Sequence, residues 1–361
     1  MAQRKFSRRG LLAAGAAAAP VVAALHETVP HAGLHHALGG DQAASAAEAG
    51  DHHGAPGSGP GRGIAMHDTM DGEVDHAANG FDPSRIVRDF DLGKARRLAS
   101  GRTLREWTLV AEDKEVEVAP GVRFPAWTYN GRIPGPTLRC REGERLRIRF
   151  INGSAHPHTI HFHGVHPDFM DGMPGVGEGR GGGQLATGEE FTYEFDAEPF
   201  GLHLYHCHVM PLAEHIAKGL YGAFVIDPKQ GRPEADELVM VMNGFDTNFD
   251  QANEIYAVNS IPFHYVNRPI RVKRGELVRI YLVNLLEFDQ INSFHIHANF
   301  FDHYPTGTRL EPIDFTDTIV QGQGQRGVLE LRFPHPGKFM FHAHKTEFAE
   351  LGWLGFFEVA G

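Results

Sequence analysis

The chain has 361 residues, of which 42% are apolar, enough for two domains of ordinary size. A formal net charge of −11 argues against a phosphate-backbone partner, and no stretch beyond the first 25 residues is apolar enough to span a bilayer. Cys140 and Cys207 are the only cysteines, whereas histidine occurs 24 times, so imidazole is the residue type that needs explaining.

The N-terminal "SRRGLL", residues 7–12, with the Ala-rich apolar run that follows, resembles a twin-arginine export signal over 1–25. It implies a periplasmic or extracellular protein, and this route permits export of an already folded chain. Residues 26–95 read as a low-complexity linker rich in Ala, Gly, His and Asp, with no sustained helical or strand period. Its eight histidines, with Met66 and Met70, can bind metal loosely or be a solvated tail. From about residue 100 short alternating strands bounded by Gly, Pro and Asn indicate an all-β sandwich.

That pattern occurs twice. "REGERLRIRFIN" (141–152) matches "KRGELVRIYLVN" (273–284), and "HTIHFHG" (158–164) matches "NSFHIHA" (292–298). "GLHLYHCHV" (201–209) matches "GKFMFHAHK" (337–345), and "GLYGAFVI" matches "GWLGFFEV". Four matches in one order mean a duplicated domain, with 96–230 the first copy and 231–361 the second. The junction falls near "DPKQGRPE" (227–234), which has turn chemistry.

Each copy carries two His-x-His pairs: His161/His163 and His206/His208, then His295/His297 and His342/His344. Residues two apart on a strand share a face, so each pair presents two imidazoles to one point and indicates a metal site. Cys207, between His206 and His208, points to the opposite face and belongs to a different site. "GVGEGRGGG" (175–183) lacks the Lys-Ser/Thr and helix of a phosphate loop and reads as a mobile loop. His264, His335 and the histidines from His26 to His76 fall outside every motif.

Residues 100–361 resemble the multicopper oxidases, through "YNGRIPGPTLR", "HFHG", "HIHA", "HCH…H…GLYG" and "HAH". The resemblance implies two cupredoxin-like Greek-key domains and four coppers per chain. His158, Cys207 and His215 would hold a type 1 blue copper, with the non-coordinating Leu220 at its axial position and Met210 close by. His161 and His295 would hold the type 2 copper, and His163, His206, His208, His297, His342 and His344 the type 3 pair. The second copy has Asn292, Ala343 and Phe348 where the first has His158, Cys207 and His215, so one blue copper is expected. Asp171 resembles the family's proton-supplying acid, and Glu347 is a second candidate.

The activity implied is laccase-like: a small reducing substrate (a phenol, an aromatic amine or a metal ion) is oxidised, and dioxygen is reduced to water. A copper nitrite reductase and a copper-storage protein without turnover are the alternatives. Each copy supplies half a cluster, and two domains on a short linker imply head-to-tail closure into a ring. The resemblance makes that ring a homotrimer.

Overall fold

The alternating runs become strands of four sheets, two in each half of the chain. The computed structural model describes residues 72–176 and 183–361, so the export signal, the linker histidines up to residue 67 and residues 177–182 lie outside the described residues. Among the described residues no helix is long and apolar enough to cross a membrane.

In the first half, the long strand Thr103–Ala119 pairs with Lys94–Arg97, Val122–Tyr129 and Arg145–Asn152, and the last of these pairs with Glu190–Asp196. Strand Arg145–Asn152 shows why the sheet has two unlike faces. Leu146, Ile148 and Phe150 are buried, while Arg147 and Arg149 point outward to Glu194 and Glu190. The facing sheet orders Leu138–Arg141, Tyr221–Asp227, Gly201–His206 and His161–Phe162. The second half repeats the plan with six strands in one sheet and five in the other. The five-stranded sheet holds Gly337–His342 beside Ile291–Ile296.

A third apolar cluster joins the halves. Leu202, Leu204, Tyr221 and Val225 of the first pack with Val239, Val241, Tyr281 and Val283 of the second. Val239 and Val241 face this junction, while Leu238, Met240 and Met242 on the same strand face the second core. A strand buried on both faces reads as a continuous apolar run, which is how "LVMVM" appears in the sequence. Beside the junction Arg139 bridges Asp227 at 2.8 Å and Glu237 at 2.6 Å, tying the chain together where one half passes into the other.

The linker expectation fails for residues 72–95. Asp75 caps a short helix, His76–Asn79, by accepting from the Ala77 and Ala78 amides, and Asp82 caps Pro83–Ile86. Val74, Phe81, Ile86 and Val87 are buried, and the Val239 amide donates to the Val87 carbonyl at 2.8 Å. Two four-residue helices are too short to show a period, so four separated apolar anchors went unread as structure.

Candidate metal centre

The register of paired strands brings the histidines together. His161 stands opposite His206, and His295 opposite His342. The ring of His161 lies 5.1 Å from His163, 5.4 Å from His206 and 5.2 Å from His208, centroid to centroid. In the second half His295 lies 5.2 Å from His297, 5.3 Å from His342 and 5.3 Å from His344. The same quartet is thus built twice. Among the described residues no ring contact joins one quartet to the other.

Backbone carbonyls set the tautomers, because a carbonyl can only accept. His206 Nδ1 donates to the Cys207 carbonyl at 2.8 Å, and His342 Nδ1 to the Ala343 carbonyl at 2.7 Å. His161 Nδ1 donates to the Asp171 carbonyl and His295 Nδ1 to the Asp317 carbonyl. Each of these four Nε2 atoms is left with a bare lone pair. Two of them face a second imidazole: His163 Nε2 is 2.9 Å from His206 Nε2, and His297 Nε2 is 3.1 Å from His342 Nε2. A proton donated by the partner ring, or a cation held between the two, satisfies that lone pair. His208 Nδ1 is also buried without a hydrogen-bond partner. The donor set therefore fits copper, which imidazole nitrogen binds well.

The loop after the first pair reaches His161 because Gly172, at φ +77°, passes so close to Ile160 that a Cβ there would lie 1.9 Å from its carbonyl oxygen. This places Asp171 Oδ1 3.6 Å from His161 Nδ1 and Asp171 Oδ2 3.9 Å from His166 Nε2. Glu347 is 64% exposed at its side chain and pairs with Lys345 rather than with a histidine.

On the other face of its strand, Cys207 belongs to the core of the first half. Cys207 Sγ lies 3.2 Å from His215 Nδ1 and 3.8 Å from His158 Nδ1, and those nitrogens are 3.1 Å apart. All three residues are buried. The Thr159 amide donates to the sulfur at 3.4 Å. Leu220 is buried beside them and offers no donor atom, and Met210 is 72% exposed, which removes it from the site. Trp127 covers the group, its ring 4.7 Å from His215 and 5.1 Å from His158.

Sequence reading missed the residues behind His158. Asp113 Oδ1 accepts from the Ser154 hydroxyl at 2.6 Å, so the Ser154 oxygen accepts from His158 Nε2 at 3.0 Å. That relay leaves His158 Nδ1 free to face the sulfur. Burial pushes the Asp113 carboxyl up, but hydrogen bonds from Ser154 and Ala155 outweigh it and hold it below its ordinary value. Ser154 stands four residues before His158, whereas Asp113 is 41 residues from Ser154 and carries no local signal.

In the second half the matching positions hold Asn292, Ala343 and Phe348, all buried. Tyr256 stacks on Phe348 at 3.9 Å, so aromatic packing occupies that place.

Two family models, both described as multicopper oxidase, match residues 110–231 and 232–360. The chain belongs to the multicopper oxidase family. A solved multicopper oxidase superposes with a TM-score of 0.78 at 65% identity, covering 80% of this chain and 100% of that one. The copper-containing nitrite reductase of Neisseria gonorrhoeae is 31% identical over 278 residues, 69% of this chain and 67% of its own length. The copper nitrite reductase of Nitrosomonas europaea superposes with a TM-score of 0.64 at 26% identity, over 72% of this chain and 94% of that one. As a multicopper oxidase, the protein is a copper oxidoreductase built from two cupredoxin-like halves.

Burial keeps four imidazoles of this multicopper oxidase neutral. It lowers His158 and His163 to about 3, and His206 and His215 to about 4, with neighbouring histidines adding to the effect. Burial likewise pushes the Cys207 thiol up to about 11, so a bound cation is what makes it a thiolate. The unfolded chain binds more protons below the ordinary histidine value of 6.5. The copper-free protein is therefore expected to be fully stabilised above pH 6.5 and to weaken as pH falls toward 4 and 3. Each histidine contributes at most about 1.4 kcal/mol per pKa unit. Thermal unfolding followed by circular dichroism checks this, and an unfolding midpoint flat between pH 7 and pH 4 contradicts it.

Proposed function

We propose that the protein is a laccase-like oxidase that oxidises small donors at a type 1 site and reduces dioxygen to water at an interface cluster. The observation that carries this reading is the complete second quartet, His295, His297, His342 and His344, whose ring spacings repeat those of the first. A nitrite reductase needs a single type 2 copper and fewer histidines. When bound, copper supplies one-electron oxidation at the thiolate site and four-electron reduction of dioxygen at the cluster.

The residues divide accordingly. His158, Cys207 and His215 would hold the type 1 copper, with the apolar Leu220 offering no further donor. His161 and His295 would hold the type 2 copper. His163, His206, His208, His297, His342 and His344 would hold the type 3 pair, for four coppers per chain. Asp171, against His161 and His166, would deliver protons to dioxygen. A cleft of about 340 Å³ lies beside the helix Leu212–Ala217 that carries His215, lined by Phe124, Glu214, Lys218, Asp246 and Phe249. Its aromatic walls and mixed charge suit a small aromatic donor.

The second quartet stands at an open surface, with His297 and His344 exposed. Phe300, Ile313, Phe315 and Val320, each more than half exposed, lie on the strands and turns around it. That supports closure against the first half of another copy, and a homotrimer is the proposed assembly. Export across the membrane completes the reading.

Oxygen uptake with a phenolic donor, compared with nitrite consumption by the same preparation, tests the function. Nitrite reduction without oxygen uptake favours the reading suggested by the 31% identical nitrite reductases, and copper binding without either indicates storage. Asp171→Asn is expected to retain copper but to slow oxygen reduction about a hundredfold, the lower range for a lost proton donor. The defect should deepen at high pH, where solvent protons are scarce. Unchanged turnover would leave Asp171 a loop-forming residue.

A further inference from the structure

One cluster of ligating side chains lies apart from both quartets and from Cys207. His76, Asp82 and His264 each offer one ligating atom, and these lie within 4.8 Å of one another. They come from three places: the helix His76–Asn79, the cap of Pro83–Ile86, and the helix His264–Asn267 of the second half. His264 is buried, with Nε2 3.5 Å from Asp82 Oδ1 and 2.7 Å from the Ser84 hydroxyl. The rings of His76 and His264 meet edge to face at 5.1 Å. His76 Nδ1 is buried and has no hydrogen-bond partner, although its side chain is only half-buried as a whole. A cavity of about 30 Å³ opens between His76, His264, Glu73 and Arg268, room for a single ion or water.

We propose that His76, Asp82 and His264 form a separate divalent transition-metal site, of the zinc class, that staples residues 76–82 to the second half of the chain. Two imidazoles and one carboxylate are a zinc-type donor set, and the Ser84 hydroxyl, 2.7 Å from His264 Nε2, can turn to become the fourth donor. The ion satisfies the orphaned His76 nitrogen, which hydrogen bonding within the chain leaves unmet. Arg268 limits the affinity. Its Nη1 stands 3.9 Å from Asp82 Oδ2, while Glu73, 3.6 Å from its other nitrogen, draws part of its charge away. The site therefore binds less tightly than a closed structural zinc site. Its role is mechanical, since it is built from no residue of the oxidase centres.

The test uses the full-length, copper-loaded protein dialysed against Zn²⁺ at a buffered free concentration, with bound metals counted by mass spectrometry. Wild type should retain one more zinc than His76→Ala or Asp82→Asn, with copper content and blue absorbance equal in all three. Asparagine keeps the helix cap, so Asp82→Asn tests the charge without removing the fold. Histidines before residue 72 are present in every variant and cancel in the difference. At zinc about a hundredfold above its dissociation constant, the wild-type unfolding midpoint should rise by about 5 °C, and those of the variants should not. Equal zinc content in wild type and both variants overturns the proposal.

Discussion

Cys207→Ser is expected to remove the intense blue absorption and to lower turnover at least about a thousandfold, since a unit that loses an obligatory member loses nearly all its function. The colour requires a thiolate on Cu(II), and a serine hydroxyl at the same place is not ionised at neutral pH. The fold should survive. Serine matches the shape of cysteine, and the Thr159 amide that donates to the sulfur finds an oxygen instead. Because His161 and His295, the residues assigned to type 2 copper, belong to the quartets and not to the Cys207 group, type 2 copper should persist in the electron paramagnetic resonance spectrum. His215→Ala should bleach the band as well, since His215 Nδ1 is 3.2 Å from the sulfur. A fully copper-loaded wild type without colour contradicts the type 1 assignment.

Mixing two inactive chains, His161→Ala and His295→Ala, is expected to restore activity after dissociation and reassembly. Each variant alone should lack type 2 copper and oxygen reduction, while keeping its blue band. In a ring, the first half of one chain meets the second half of the next. An intact interface then needs a His295→Ala chain followed by a His161→Ala chain. Random assembly of equal amounts makes about one quarter of the interfaces intact, so activity should return to about one quarter of wild type. Each such interface keeps an unaltered Cys207 site in the same half that supplies His161. Light scattering should report a mass three times that of the chain. A monomeric mass for active wild type, with no recovery in the mixture, removes the interface cluster. Normal oxygen uptake by either variant alone would make that histidine structural only.

Much of the centre was legible because strands write their geometry into the sequence. A period of two places His161 with His163 and His206 with His208, and sends Cys207 to the other face, with no knowledge of the neighbouring strands. Repetition of the same pattern after 132 to 136 residues revealed the second quartet and set Asn292, Ala343 and Phe348 where the first half has His158, Cys207 and His215. The relay from Asp113 through Ser154 to His158 was not legible, because hydrogen bonds across a sandwich depend on which strands pack together.

What the sequence by itself determined is therefore the all-β class and the identity of the histidine pairs, since these rest on short-range periodicity and repetition, and the family, through the resemblance of its histidine motifs. Tertiary structure decided the rest. It excluded Met210 by exposing it, put Asp171 against His161 and left Glu347 with Lys345. It also turned residues 72–95 from an expected linker into packed elements, and it brought His76, Asp82 and His264 together across more than 180 residues. Such contacts follow from long-range packing of apolar faces, and a chain of short strands does not state in its local pattern which faces will meet.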